Sequence, residues 1–114
     1  MERDFAQFPA DDNGDKLWNL RQGGDQLVIP REVDFAVVFS TEEVAMEFAV
    51  RLLHYGQKVS FGEVQGVAGY AWQVQAHPVM VPTHHNVGAY ARRLAQDAEP
   101  LGGRNQGWGC FARD

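Results

Sequence analysis

The chain has 114 residues, the length of one ordinary domain and enough to bury most of its apolar surface without disulfides or metal staples. Its formal charge of −5 argues against a general nucleic-acid binder, because neutralising phosphates takes clustered Lys and Arg, and the ten present here are scattered. The lone cysteine, Cys110, has no partner for an intrachain disulfide, the N-terminus lacks the basic-then-apolar layout of a secretory signal, and no apolar run reaches bilayer length. A cytoplasmic protein without membrane association is the expectation.

From residue 1 to about 26 the sequence is polar and turn-rich. Asp11-Asp12-Asn13-Gly14-Asp15 superficially resembles a calcium loop, but its glycine falls too early and no bidentate glutamate follows at the required position, so it reads as a helix N-terminus. A short helix follows, packing through Leu17, Trp18 and Leu20 and stopping at Gly23-Gly24. Val33, Phe35, Val37 and Phe39 then alternate with Asp34, Ala36, Val38 and Ser40, the period of a strand with one face in the core.

Ser40 and Glu43 stand in capping-box spacing, with Phe39 and Val44 in the flanking staple positions, which predicts Ser40 as the N-cap of a helix. That helix is expected to bury Val44, Ala45, Phe48, Ala49, Leu52 and Leu53, to turn Glu42, Glu43, Glu47 and Arg51 to water, and to end at Gly56. Lys58 to Glu63 predicts a second strand and Trp72 to His77 a third, joined as a hairpin through the glycine-bearing turn from Gln65 to Gly69. Pro82 and Thr83 open another helix, with Thr83 as N-cap and Val87, Tyr90, Ala91, Leu94 and Ala98 as its apolar stripe; Pro100 and Gly102-Gly103 end it.

Gly107-Trp108-Gly109-Cys110-Phe111 nearly closes the sequence. A tail needing only solubility has no use for Trp108 and Phe111, so a final strand is expected, its glycines marking a bulge, a bend or a close backbone approach. The order strand, helix, strand, strand, helix, strand is that of an α+β, ferredoxin-like βαββαβ sandwich: an antiparallel sheet with two helices on one face, plus the short N-terminal helix. One domain over 1–114 is expected, with an extension at 1–26 and the core at 31–111.

Pro30-Arg31-Glu32-Val33-Asp34-Phe35, the capped helix ending in Gly56, the Pro82-Thr83-His84 helix start and the closing Gly107-Trp108-Gly109-Cys110-Phe111 together resemble one family, the B-type regulators of ribonuclease E activity. The resemblance implies a small α+β protein with no catalysis of its own and no cofactor. It would bind ribonuclease E and lower or redirect its cleavage of RNA by protein association.

Candidate contact residues follow from the pattern. Glu42, Glu43 and Glu47 form an acidic helix face suited to a basic partner segment, with a merely solvated face as the plainer reading. Gln73 and Gln75 lie on the sheet face predicted to be open; with Ser60, Asp34 and His77 they offer no aromatic pair for stacking RNA, so direct nucleic-acid binding is not expected. Trp108 is read first as core and second as an interface anchor. An alternative function, a small ligand-binding or enzymatic domain, would place its site near His77, His84 and His85. Metal binding there is not expected, since adjacent helix positions diverge and no carboxylate stands at ligand spacing. Cys110 is read as a structural thiol.

Overall fold

The computed structural model describes residues 2–110. Helix α1 (Asp12–Gln22) begins at Asp11, whose extended backbone lets its carboxylate accept the Gly14 N–H at 2.7 Å. Gly14 is required by space, because a β-carbon there would lie 1.8 Å from the Pro9 carbonyl oxygen, where the preceding segment crosses the first turn. Leu17 is fully buried and Trp18 and Leu20 pack against the core.

After α1 the chain makes a ladder too short to show in a periodic pattern: β1 (Arg31–Glu32) pairs antiparallel with β5 (Val79–Met80). Its approach is locked from inside. Arg31 and Asp25, with side chains 1% and 0% exposed, form a two-pronged ion pair, Nη1 to Oδ2 and Nη2 to Oδ1, the latter at 3.0 Å. Asp25 Oδ1 also accepts the Leu27 N–H, and Arg31 Nε donates to the Ile29 carbonyl.

Strand β2 (Asp34–Phe39) sends Phe35, Val37 and Phe39 into the core, as their alternation predicts. Helix α2 (Glu42–His54) starts one residue later than the capping-box spacing predicts. Thr41, not Ser40, takes the extended cap conformation, and its Oγ1 accepts the Val44 N–H at 3.3 Å. With Thr41 as cap the third helical position is Val44 rather than an acid, so the reciprocal bond that defines the box does not form. The helix ends with Tyr55 as C-cap and Gly56 at φ +75°, a left-handed turn that favours glycine.

β3 (Val59–Glu63) and β4 (Trp72–Ala76) form the expected hairpin. Helix α3 (His84–Ala98) is capped by Thr83, whose side chain accepts the Asn86 N–H at 3.0 Å; a 3₁₀ turn (Glu99–Leu101) leads to β6 (Arg104–Gly109). Phe111, expected in that last strand, lies outside the described residues.

The sheet runs β3-β4-β2-β6, every pair antiparallel. Helix α2 packs on β3, β4 and β2, α3 on β2 and β6, and α1 against α3. Between β2 and β6 the register slips at Ala36/Val37, opposite Asn105 and Gly107; Gly107 sits at φ +130°, so a bulge is what its glycine serves. The core joins Phe35, Val37, Phe39 and Val74 of the sheet to Phe48 and Leu52 of α2, Val87 and Leu94 of α3, and Leu17 of α1.

Candidate functional site

The sequence-predicted contact residues occupy three separate places. Glu42, Glu43 and Glu47 are exposed on α2, Gln73 and Gln75 lie on the sheet face turned away from the helices, and Trp108 is buried at 9% exposure on the helix side.

The acidic helix face has an apolar companion. Leu53, expected in the core, is 58% exposed, and Met46 and Val50 are 45% and 42% exposed. At 100° per residue these three fall within about 60° of one another around α2, and Glu42 and Glu43 continue the same line toward the helix start. The core is filled instead by Ala45, Phe48, Ala49 and Leu52, the buried stripe of α2. Leu53 is adjacent to Leu52 and therefore turned about 100° from it, which is why it misses the core. The signal was present in the sequence: Met46, Val50 and Leu53 have their own four- and three-residue spacing, a second apolar line on a helix with one sheet to cover. Arg51 lies 3.4 Å from Glu47 across one turn, so Glu42 and Glu43 carry most of the unbalanced negative charge at the helix start.

On the open sheet face the glutamines bond to one another. Gln75 Nε2 donates to Gln73 Oε1 at 2.9 Å, and Gln73 Nε2 donates in turn to Gln106 Oε1 on β6. The second bond bridges across β2, where Val38 lies on this face and is only 1% exposed. Their amides serve as a cover for the sheet.

At one end of this face, strands bring five polar side chains into a chain of bonds. Ser60 Oγ lies 2.8 Å from His77 Nε2, and His77 Nδ1 lies 2.6 Å from Asp34 Oδ1 and 3.7 Å from Glu32 Oε1. Lys58 Nζ closes it at 3.0 Å from Glu32 Oε2. A hydroxyl, an imidazole and a carboxylate in series have the connectivity of an acyl-transfer triad, but connectivity is not catalysis without oxyanion donors and a seat for substrate. His84 Nε2 lies 2.8 Å from Asp11 Oδ2, while His77 bonds to Ser60 and Asp34; among the described residues the one cluster of metal-ligating side chains is Glu32, Asp34 and His77. The sequence pattern already places Asp34, Ser60 and His77 on one sheet face; Glu32 is the member it misses, because it reaches His77 through the short β1–β5 ladder.

Trp108 is core and joint at once. Its ring lies 6.5 Å from that of Phe35, its Nε1 donates to Asn13 Oδ1 at 2.7 Å, and Lys16 Nζ sits 5.0 Å from the ring centre. Lys16 also donates to the Trp108 carbonyl at 2.5 Å, so α1 satisfies an outward acceptor on the edge strand β6. Beside it a groove of about 540 Å³ runs between α1, α3 and β6, with Asp12, Asp15, Asn19 and Asn105 among its walls. Cys110 follows the strand; burial pushes its thiol pKa up, and the nearby Arg31 guanidinium only partly offsets this.

These features define a small α+β protein of three helices and antiparallel sheets, whose exposed candidate surfaces are a helix face and a polar sheet face. The chain belongs to the family described as regulator of ribonuclease activity B, which matches residues 10–110. Membership makes it a noncatalytic protein of ribonuclease regulation, acting on a protein partner. No curated protein matches the chain. Among the described residues, no helix is long and apolar enough to cross a membrane.

Proposed function

We propose that this protein binds a ribonuclease of the E type in the cytoplasm and lowers or redirects RNA cleavage by association alone, using the outer face of α2. The observation that carries the surface is the exposed line Met46, Val50 and Leu53 running into the exposed acids Glu42 and Glu43, with Glu47 beside it. An apolar stripe with a negative end suits an amphipathic, basic segment of a partner protein: apolar anchors supply affinity, and the charges supply orientation and encounter rate. The ribonuclease itself is inferred from the family.

The strand order β3-β4-β2-β6, with α2 and α3 as the two crossovers, supports reading the fold as a ferredoxin-like sandwich within one domain. That scaffold leaves one sheet face uncovered by helices. Gln73 and Gln75 are the second contact candidate, and their mutual bonding favours α2 over them, since a partner would have to replace bonds already made. The net charge of −5 favours a protein partner over direct contact with RNA.

Calorimetric titration against ribonuclease E of the same organism, with RNA cleavage followed in the same mixtures, tests the reading. Saturable binding with reduced or redirected cleavage supports it. Glu43→Lys with Glu47→Lys, and separately Leu53→Asp, should each weaken binding at least about tenfold, while Gln73→Ala with Gln75→Ala leaves it within about threefold. The reverse pattern moves the contact to the sheet; no binding by the wild-type protein removes the partner.

A further inference from the structure

The bond chain around His77 converges in a way that the regulatory role does not use. Glu32 comes from β1, Asp34 from the start of β2, and His77 from the residue after β4, all held by strand pairing; the Val33 N–H bonds to the Pro78 carbonyl at 2.8 Å and the His77 N–H to the Lys58 carbonyl at 2.9 Å. The His77 side chain is only 11% exposed, while Asp34 and Glu32 are 40% and 42% exposed. The imidazole is thus fixed by its surroundings, and the carboxylates open the cluster to solvent.

Glu32, Asp34 and His77 each offer one ligand atom, and these three atoms all lie within 4.8 Å of one another. Ligands about 2.1 Å from a zinc ion stand roughly 3.0 to 3.4 Å apart in octahedral or tetrahedral arrangement. The distances from Nδ1, 2.6 Å to Asp34 and 3.7 Å to Glu32, bracket that spacing. Lys58 engages the other oxygen of Glu32, leaving Oε1 turned toward the imidazole. Two carboxylates facing one imidazole repel each other, and a cation between them relieves that repulsion.

We propose that Glu32, Asp34 and His77 bind one divalent metal ion of the Zn²⁺ or Mn²⁺ class, with Ser60 as a positioning residue behind the imidazole. A neutral imidazole carries its proton on either nitrogen. Placed on Nε2, that proton is donated to Ser60 Oγ and the Nδ1 lone pair is bare for the metal; placed on Nδ1, it is donated to Asp34, and the Ser60 hydroxyl donates to Nε2 instead. Ser60 serves both states by rotating its hydroxyl. One imidazole and two carboxylates form a donor set suited to Zn²⁺ or Mn²⁺ and poorly suited to Cu⁺. Solvent-facing positions around Asp34 and Glu32 leave room for water to complete the coordination.

The test is calorimetric titration of the tag-free full chain with ZnCl₂ and, separately, MnCl₂. One equivalent of saturable binding is expected for at least one of the two. His77→Gln and Asp34→Asn should each weaken it by at least about tenfold, and Ser60→Ala by about tenfold or more through the lost orientation of the ring. His84→Gln with His85→Gln should leave it unchanged. Circular dichroism confirms that each variant is folded; should His77→Gln fail to fold, Glu32→Gln takes its place. No saturable binding of either metal by the wild-type chain, or binding indifferent to residues 32, 34 and 77, overturns the proposal. Neither outcome bears on ribonuclease binding, since α2 lies on the other side of the sheet.

Discussion

Trp108 Nε1 donates a hydrogen bond to Asn13 Oδ1 at 2.7 Å, joining the last strand to the first turn of α1 across 95 residues of sequence. This bond, the Lys16 bond to the Trp108 carbonyl and the packing of α1 on α3 hold the N-terminal helix on the sheet edge. Trp108→Phe keeps an aromatic ring and removes the donor, leaving the half-buried Asn13 oxygen without it. The expected loss is about 1–2 kcal/mol in urea unfolding. Amide exchange in α1 should quicken more than exchange in β2; equal quickening throughout would mean that α1 is not selectively released.

Gly103 touches the core from the loop before β6. A β-carbon there would stand 2.5 Å from Phe39 Cε1 and 2.8 Å from Ala98 Cβ, and neither group has room to retreat, since Phe39 and Ala98 are both fully buried. Gly103→Ala is expected to destabilise the fold by about 1–3 kcal/mol through overpacking. Gly62→Ala, where nothing lies within 4 Å, is the matched control and should change stability by less than about 0.5 kcal/mol. Equal effects at the two sites would show a backbone cause in place of a steric one.

The Asp25–Arg31 pair sits in the segment between α1 and β1, where Leu27 is held at φ +59°. Removing the carboxylate takes away a counter-charge from a guanidinium buried to 1% exposure. Asp25→Ala should therefore cost about 3–5 kcal/mol, more than most surface changes, whereas replacing both partners with apolar residues of similar size should cost less than the single change. A double-mutant cycle by denaturant unfolding measures the difference.

Legibility in the sequence followed the range of the interaction. Thr83 caps its helix as the local sequence predicts, α1 starts within the Asp11–Asp15 segment read as a helix N-terminus, and Phe35, Val37 and Phe39 reach the core by period two, because such signals are decided within a few residues. Adjacent cap candidates are harder: Ser40 and Thr41 offer the same chemistry, so local sequence does not distinguish them, and the structure places the cap at Thr41. Leu53 was misplaced because periodicity identifies an apolar residue without saying how wide a stripe the sheet can cover. Within the Glu32–Asp34–His77 cluster, Asp34 and His77 share the predicted open face through β2–β4 pairing, while Glu32 depends on β1 pairing with β5, two strands of two residues each, which no periodic pattern reveals.

Cys110 is expected to react slowly. Its thiol is half-buried, and desolvation raises its pKa despite the Arg31 guanidinium nearby, so little thiolate is present at neutral pH. Reaction with a disulfide reagent should run slower for the folded protein than for the same chain in denaturant at equal pH. A folded rate equal to or above the unfolded one would mean that the guanidinium, not burial, sets the thiol.

Asp11 links α1 to α3 and is tuned by both. The Gly14 N–H, and then the His84 side chain, hold its carboxyl below the ordinary value of 3.8. A depressed folded pKa means that the carboxylate's contribution to stability is fully present above that ordinary value and is lost as pH falls through the lower folded one. The Gly14 amide shift in an NMR titration should therefore move with a midpoint below 3.8. Asp11→Asn retains a good N-cap and abolishes the charge, so it should keep α1 formed at neutral pH while removing that titration step and the ionic part of the contact with His84. A midpoint at or above 3.8 in the wild-type protein would mean that the cap bond does not favour the ionised carboxyl.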